Sequence, residues 1–227
     1  MKKLIITAIF MVFIINSSLK AQTGIHFGLK AGYSSGTQYG INQPNLPYEV
    51  NSSARAGFTG GILLYYPITD AFGVQQEFLY TQKGSGQDVI MTNPPISTFS
   101  DYRLNYFELP ILFKYNFINI KNFEIYGSTG FCLSILLNGD YKVDGVIDMG
   151  PGGQIPFEES GNTDGLDEFD YSFVYGLGFK FNLFDQKCFF DYRQTIGWNT
   201  LMMPSAEGGE PVPLRNQTYS FTLGIIF

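Results

Sequence analysis

The chain ends on Arg215-Asn216-Gln217-Thr218-Tyr219-Ser220-Phe221-Thr222-Leu223-Gly224-Ile225-Ile226-Phe227. Tyr219, Phe221, Leu223, Ile225 and Phe227 are large and apolar, while Asn216, Thr218, Ser220, Thr222 and Gly224 are small or polar. A period of two sends the first set to one face of a strand and the second to the other. Such a strand separates two different media.

The pattern recurs along the chain. It predicts strands at about Gly24–Ser35, Ser53–Tyr66, Phe72–Val89, Asp101–Phe117, Phe123–Tyr141, Phe169–Leu183, Cys188–Leu201 and Arg215–Phe227. The connections alternate long and short. Proline-bearing or glycine- and acid-rich stretches (Pro44 and Pro47, Pro94 and Pro95, 142–168, Pro204 to Pro213) alternate with the tight turns Pro67–Ala71, Asn119–Asn122 and Phe184–Lys187. Eight strands with this asymmetry describe an all-β, eight-stranded antiparallel up-and-down transmembrane β-barrel, with short periplasmic turns and long outer loops. Three irregularities stand out. Gln76 and Gln82 interrupt an apolar face, the phase of strand four breaks near Tyr106 and implies a bulge, and Pro110 implies a bulge or a missing ladder bond.

The amino terminus reads as a leader. Lys2 and Lys3 precede the apolar run Leu4–Ile15, and small residues lead to Ala21, so residues 1–21 are expected to be a signal peptide and 22–227 the barrel domain. The apolar run is shorter than the roughly 20 residues of a membrane-spanning helix. Removing it takes away three lysines and no acid, leaving the chain more negative than its overall −6 and a poor partner for nucleic acid. Aromatic residues make up 17% of the chain and charged ones only 15%, a mixture that lipid-facing strands explain. Cys132 and Cys188 fall on non-neighbouring strands and opposite faces, and are expected to be free thiols.

Alternation alone does not say which face points inward. An eight-stranded barrel has room for little beyond its own side chains. Ten glycines, among them Gly28, Gly32, Gly61, Gly176 and Gly178, share the polar phase, whereas the other phase is crowded with Phe and Tyr. The polar phase is therefore read as the lumen. It collects Lys30, Arg55, Glu77, Lys83, Glu108, Lys114, Glu124, Lys180, Asp191 and Arg193, expected to form a paired structural network that plugs the interior. Trp198, Tyr33 and Tyr80 would mark the outer aromatic girdle, and Phe227, Tyr66, Phe72, Phe117 and Phe123 the inner one.

Three blocks resemble the small outer-membrane barrels of Bacteroidetes known as the PorT family. They are Gly28-Leu29-Lys30-Ala31-Gly32, Gly73-Val74-Gln75-Gln76-Glu77-Phe78-Leu79-Tyr80 with Lys83-Gly84, and Tyr106-Phe107-Glu108-Leu109-Pro110-Ile111-Leu112 with Lys114. The closing strand also resembles those whose terminal aromatic residue, here Phe227, is read by the barrel-insertion machinery. The resemblance implies a location in the outer membrane, contact with its lipid, and a structural or interaction role that extends in the namesake to assisting secretion with an envelope partner. A narrow channel for small solutes is the first alternative, followed by a lipid-modifying enzyme and a soluble lipocalin-like carrier.

Chemistry is thin. His26, the single histidine, lies near the periplasmic end, away from the outer rim where lipid-modifying barrels place their His, Ser and Asp, and reads as a hydrogen-bonded lumen residue. The acids Asp144, Asp148, Glu158, Glu159, Asp164, Asp167, Glu168 and Asp170 offer oxygen ligands of the kind calcium takes, but their spacing matches no calcium loop and they read as a solvated surface. No cofactor or metal site is expected, and no enzymatic activity.

Overall fold

The computed structural model describes residues 24–40, 48–92, 95–163, 167–184, 186–199, 201–203 and 212–227. The expected leader lies outside these described residues. Among the described residues ten strands are formed: β1 (His26–Gly40), β2 (Tyr48–Pro67), β3 (Phe72–Thr92), β4 (Pro95–Ile120), β5 (Phe123–Asp148), β6 (Gln154–Asn162), β7 (Phe169–Leu183), β8 (Gln186–Gly197), β9 (Leu201–Met203) and β10 (Val212–Ile226). All of β1 to β5, β7, β8 and β10 pair antiparallel with their neighbours, and β10 closes on β1 from Gly28↔Ile226 to Gly40↔Leu214. The result is the expected closed eight-stranded ring.

A row of paired residues followed round the ring runs through Val74, Phe113, Thr129, Tyr175, Gln194, Tyr219, Ser35 and Ala56. It returns to β3 about ten residues above Val74. With strands about 4.8 Å apart and a rise of about 3.3 Å per residue, that stagger tilts the strands about 40° from the barrel axis. Each residue then climbs about 2.5 Å along the axis.

The sidedness is as expected. Leu29, Tyr33, Phe113, Phe131, Leu177, Phe221, Leu223 and Phe227 are exposed on the outside, whereas Lys30, Glu77, Lys83, Glu108, Lys114, Asp191 and Arg193 are buried. One part of the sequence reading is corrected: rings do enter the lumen. Tyr65, Tyr106, Tyr126 and Phe189 are buried there. Glycines on facing strands are their sockets. A Cβ on Gly73 would stand 2.6 Å from the Tyr65 ring, one on Gly178 2.5 Å from Tyr126, and one on Gly224 2.2 Å from Phe189.

The outer extensions also differ from expectation. Within the expected loop 142–168, residues 142–162 form a hairpin: β5 runs on to Asp148, turns through a short 3-10 helix at Gly150–Gly152 and returns as β6, paired from Asp148↔Gln154 to Asp140↔Asn162. The seventh ring strand stops at Gly197 instead of Leu201, and Leu201–Met203 pairs with β10 as the separate β9.

Two of the three irregularities turn out to be linked. Opposite Pro110, the β3–β4 ladder is interrupted between Gln76↔Ile111 and Leu79↔Glu108 and resumes without a shift of register. Proline has no N–H to offer, and the Gln76 side chain supplies one, donating to the carbonyls of Glu77 at 3.0 Å and Pro110 at 3.1 Å. Gln82 does the converse where β2 and β3 shift register, its side-chain oxygen accepting from Phe58 N at 3.3 Å. The polar residues that interrupt the lipid face thus satisfy backbone groups that lipid cannot. Gln76→Leu is expected to destabilise the barrel by about 1–2 kcal/mol although it makes that face more apolar, and to cost less in a Pro110→Ala background. Urea unfolding of the two single variants and the double checks this.

The break at Tyr106 resolves differently from the reading. The phase of β4 is unbroken, with Leu104, Tyr106 and Glu108 all inside, and the extra residue is Leu137 on β5, between Asn105↔Asn138 and Tyr106↔Leu136.

Candidate functional site

The lumen holds its charges in separate layers. In the lower half, Arg193 of β8 reaches across to Glu77 of β3 as a fork, with Nη1 to Oε2 at 2.6 Å and Nη2 to Oε1 at 2.8 Å. Its Nη2 also meets Asp191 at 2.5 Å. Lys30 of β1 lies 3.5 Å from Glu77 and 3.4 Å from Asp191. Gln75 donates to Glu77 and Tyr126 to Asp191, so both carboxylates are surrounded by donors. These residues come from β1, β3, β5 and β8, and their pairs span the tube from wall to wall.

Lys114 of β4 has no carboxylate within ion-pair distance among the described residues. Its ammonium sits 4.0 Å from the centre of the Tyr126 ring and 5.5 Å from that of Phe189, held by the ring faces. Aromatic residues placed inside are what make this third cation tolerable.

A second cluster lies above. Lys83 pairs with Glu108 at 2.7 Å and with Asp170 at 3.8 Å, and Thr81 and Ser134 both donate to Glu108. Asn216 donates to Asp170 at 2.9 Å and accepts from Gln38, which in turn accepts from Ser85. Asp170 belongs here and not to the solvated acidic stretch in which the sequence reading put it. Between the two clusters lies a small cavity of about 20 Å³, lined among others by Lys30, Arg193, Glu108, Thr59, Thr218 and Thr222.

At the short-turn mouth Glu124 is held between Lys180 at 2.7 Å and Lys187 at 3.4 Å. His26 stacks on Tyr65 there, with ring centres 6.2 Å apart, at the edge of an open cleft of about 320 Å³. It is exposed, and no hydrogen bond holds it among the described residues, which corrects the expected hydrogen-bonded lumen histidine. Arg55 also stands apart from the network, at the opposite end, paired with Asp101. Lys30, Glu77, Asp191 and Arg193 are therefore joined directly, Lys114 joins them through Tyr126, Lys83 with Glu108 and Lys180 with Glu124 form separate pairs, and Arg55 is outside. Asp170, Tyr126, Gln75 and Asn216 went unrecognised in sequence, although each shares the lumen phase of its strand.

On the β5–β6 hairpin the acids pair locally. Lys142 binds Glu158 at 3.1 Å and Asp144 at 3.2 Å, and these bonds raise its pKa above the ordinary lysine value, while Tyr141 donates to Glu159.

A closed antiparallel ring with an apolar exterior and an ionic core is the architecture of bacterial outer-membrane proteins. A family model described as outer membrane protein beta-barrel domain matches residues 20–201. The chain belongs to this family. Among solved structures, this outer-membrane barrel is similar to OprG from Pseudomonas aeruginosa, with 13% identity, a TM-score of 0.48 and coverage of 91% of this chain and 98% of that one. It is also similar to the outer membrane protease OmpT from Escherichia coli, with 9% identity, a TM-score of 0.46 and coverage of 92% and 100%. The Neisserial surface protein NspA aligns at 13% identity and a TM-score of 0.43, covering 90% and 99%. No curated protein matches the chain.

Proposed function

We propose that this outer-membrane barrel is a closed membrane anchor with a structural or interaction role, presenting its outer strands to a protein partner of the cell envelope. The observation that carries the reading is the Arg193–Glu77–Asp191–Lys30 cluster, whose four buried side chains cross the lumen and are neutralised by one another. A solute would have to break it. The second support is reach: β4 and β5, at 26 residues each, climb about 65 Å at about 2.5 Å per residue, against an apolar band about 25 Å tall. The part that clears the lipid is a sheet of β2 to β6 on the long-loop side, where a partner would meet it.

In this reading the chain is exported by residues 1–21 and inserted through recognition of the strand ending at Phe227. It carries no catalytic function, and a task accessory to secretion, as in the PorT proteins it resembles, is the partner-dependent form. Planar-bilayer recording tests the closed lumen. The wild-type barrel is expected to give no stepwise conductance, whereas Glu77→Ala with Arg193→Ala opens small steps. Wild-type steps that persist after purification would replace the anchor with the narrow-channel reading. Affinity capture from detergent-solubilised outer membranes, comparing the full chain with one whose 142–162 hairpin is replaced by a tight turn, tests the partner surface.

A further inference from the structure

On the outside of β10 the apolar stripe gives way above Phe221 to Tyr219, Gln217 and Arg215, with Gln194 of β8 paired beside Tyr219. At about 2.5 Å of height per residue, Tyr219 stands about 20 Å and Arg215 about 30 Å above Phe227. An apolar band about 25 Å tall that begins near Phe227 puts Tyr219 just inside the outer boundary and Arg215 just beyond it, at the level of lipid headgroups.

The hydrogen bonds of this patch run in one direction. Tyr175 donates to Gln194 Oε1 at 2.5 Å, and Gln194 Nε2 donates to the Tyr219 hydroxyl oxygen at 3.2 Å. Gln217 Nε2 donates to the same oxygen at 2.9 Å. That oxygen accepts twice, and the phenolic proton of Tyr219 is left without an acceptor among the described residues. Turning over either amide moves the spare donor to a neighbouring group without removing it. The polar patch on the opposite wall is different, because there Tyr80 donates to Asn105 at 2.8 Å and Asn105 to Asn138 at 2.6 Å, and the Gln82 oxygen takes the Phe58 N–H.

An idle donor facing a bilayer is costly, and the bilayer has acceptors only at its headgroups. We infer that the Tyr219–Gln217–Arg215 stripe binds the phosphate-bearing headgroup of an outer-leaflet lipid. The phosphate pairs with the Arg215 guanidinium, which suits phosphate geometry, and a neighbouring ester or phosphate oxygen takes the Tyr219 proton. The inference rests on the membrane-spanning fold and is independent of whether the lumen is closed.

Native mass spectrometry of the barrel released from micelles doped with bisphosphorylated lipid A, or with the same glycolipid stripped of phosphate, tests it. The phosphorylated form is expected to stay bound and the stripped form to be about tenfold weaker, with Arg215→Gln erasing the difference and Tyr219→Phe, which removes a single oxygen, weakening binding severalfold. Arg103→Gln, on the opposite wall, leaves retention unchanged. A heat-dependent gel shift confirms that each variant is folded. Equal retention of the two lipids, undiminished retention in Arg215→Gln, or full competition by inorganic phosphate alone would overturn the assignment.

Discussion

Glu77→Ala is expected to lower the unfolding free energy of the barrel by about 3–5 kcal/mol, the cost of leaving buried charge without its partner. Glu77 is completely buried and takes both arms of the Arg193 fork together with the Lys30 ammonium. Without it, Asp191 alone faces Arg193, Lys30 and the ring-held Lys114. Hydrophobic replacement of both Glu77 and Arg193 is expected to cost much less than the single change, because the pair is removed along with its desolvation. Urea unfolding followed through Trp198, the single tryptophan, measures both. A loss below about 1 kcal/mol for Glu77→Ala would mean that water screens the cluster and that the lumen is wet.

Leu223→Arg is expected to cost roughly 2–4 kcal/mol, and the same change at Phe117 only about 0–1 kcal/mol. Both side chains are exposed on the outside of the barrel, Leu223 at 60% and Phe117 at 57%, so exposure to a probe does not separate them. Depth does. Leu223 stands four residues above Phe227, about 10 Å into a band about 25 Å tall, while Phe117 lies at the short-turn rim, where an arginine can reach headgroups. Equal costs at the two sites in a bilayer-based unfolding assay would remove the depth assignment, and with it the placement of Tyr219 and Arg215 at the outer boundary.

Strand identity and sidedness were legible from the sequence because both rest on local rules. A period of two assigns faces without knowledge of the partner strand, and Phe221, Leu223 and Ile225 sorted to the outside on that rule alone. Volume then decided the sense, since a narrow ring cannot take every ring inward. The rule did not forbid a few. Tyr65, Tyr126 and Phe189 share the inward phase of their strands, where rings were expected to find no room, and they fit because Gly73, Gly178 and Gly224 lie beside them, a match that depends on register between strands.

The charged residues divide in the same way. That Lys30, Glu77, Asp191 and Arg193 share the interior followed from alternation, but that these four join while Arg55 turns away to Asp101 depends on the stagger of the strands round the ring. Gln76 looked like a flaw on the lipid face until the strand carrying Pro110 was placed beside it. The acid-rich 142–168 read as a loop because its composition is that of one, and β5 alone provided the edge on which β6 could form. Sequence determined what each strand shows to lipid and to lumen, since that is a property of neighbouring residues on one chain segment. Tertiary structure decided which lumen groups meet, since contact across a tube depends on tilt and register, which no single strand encodes.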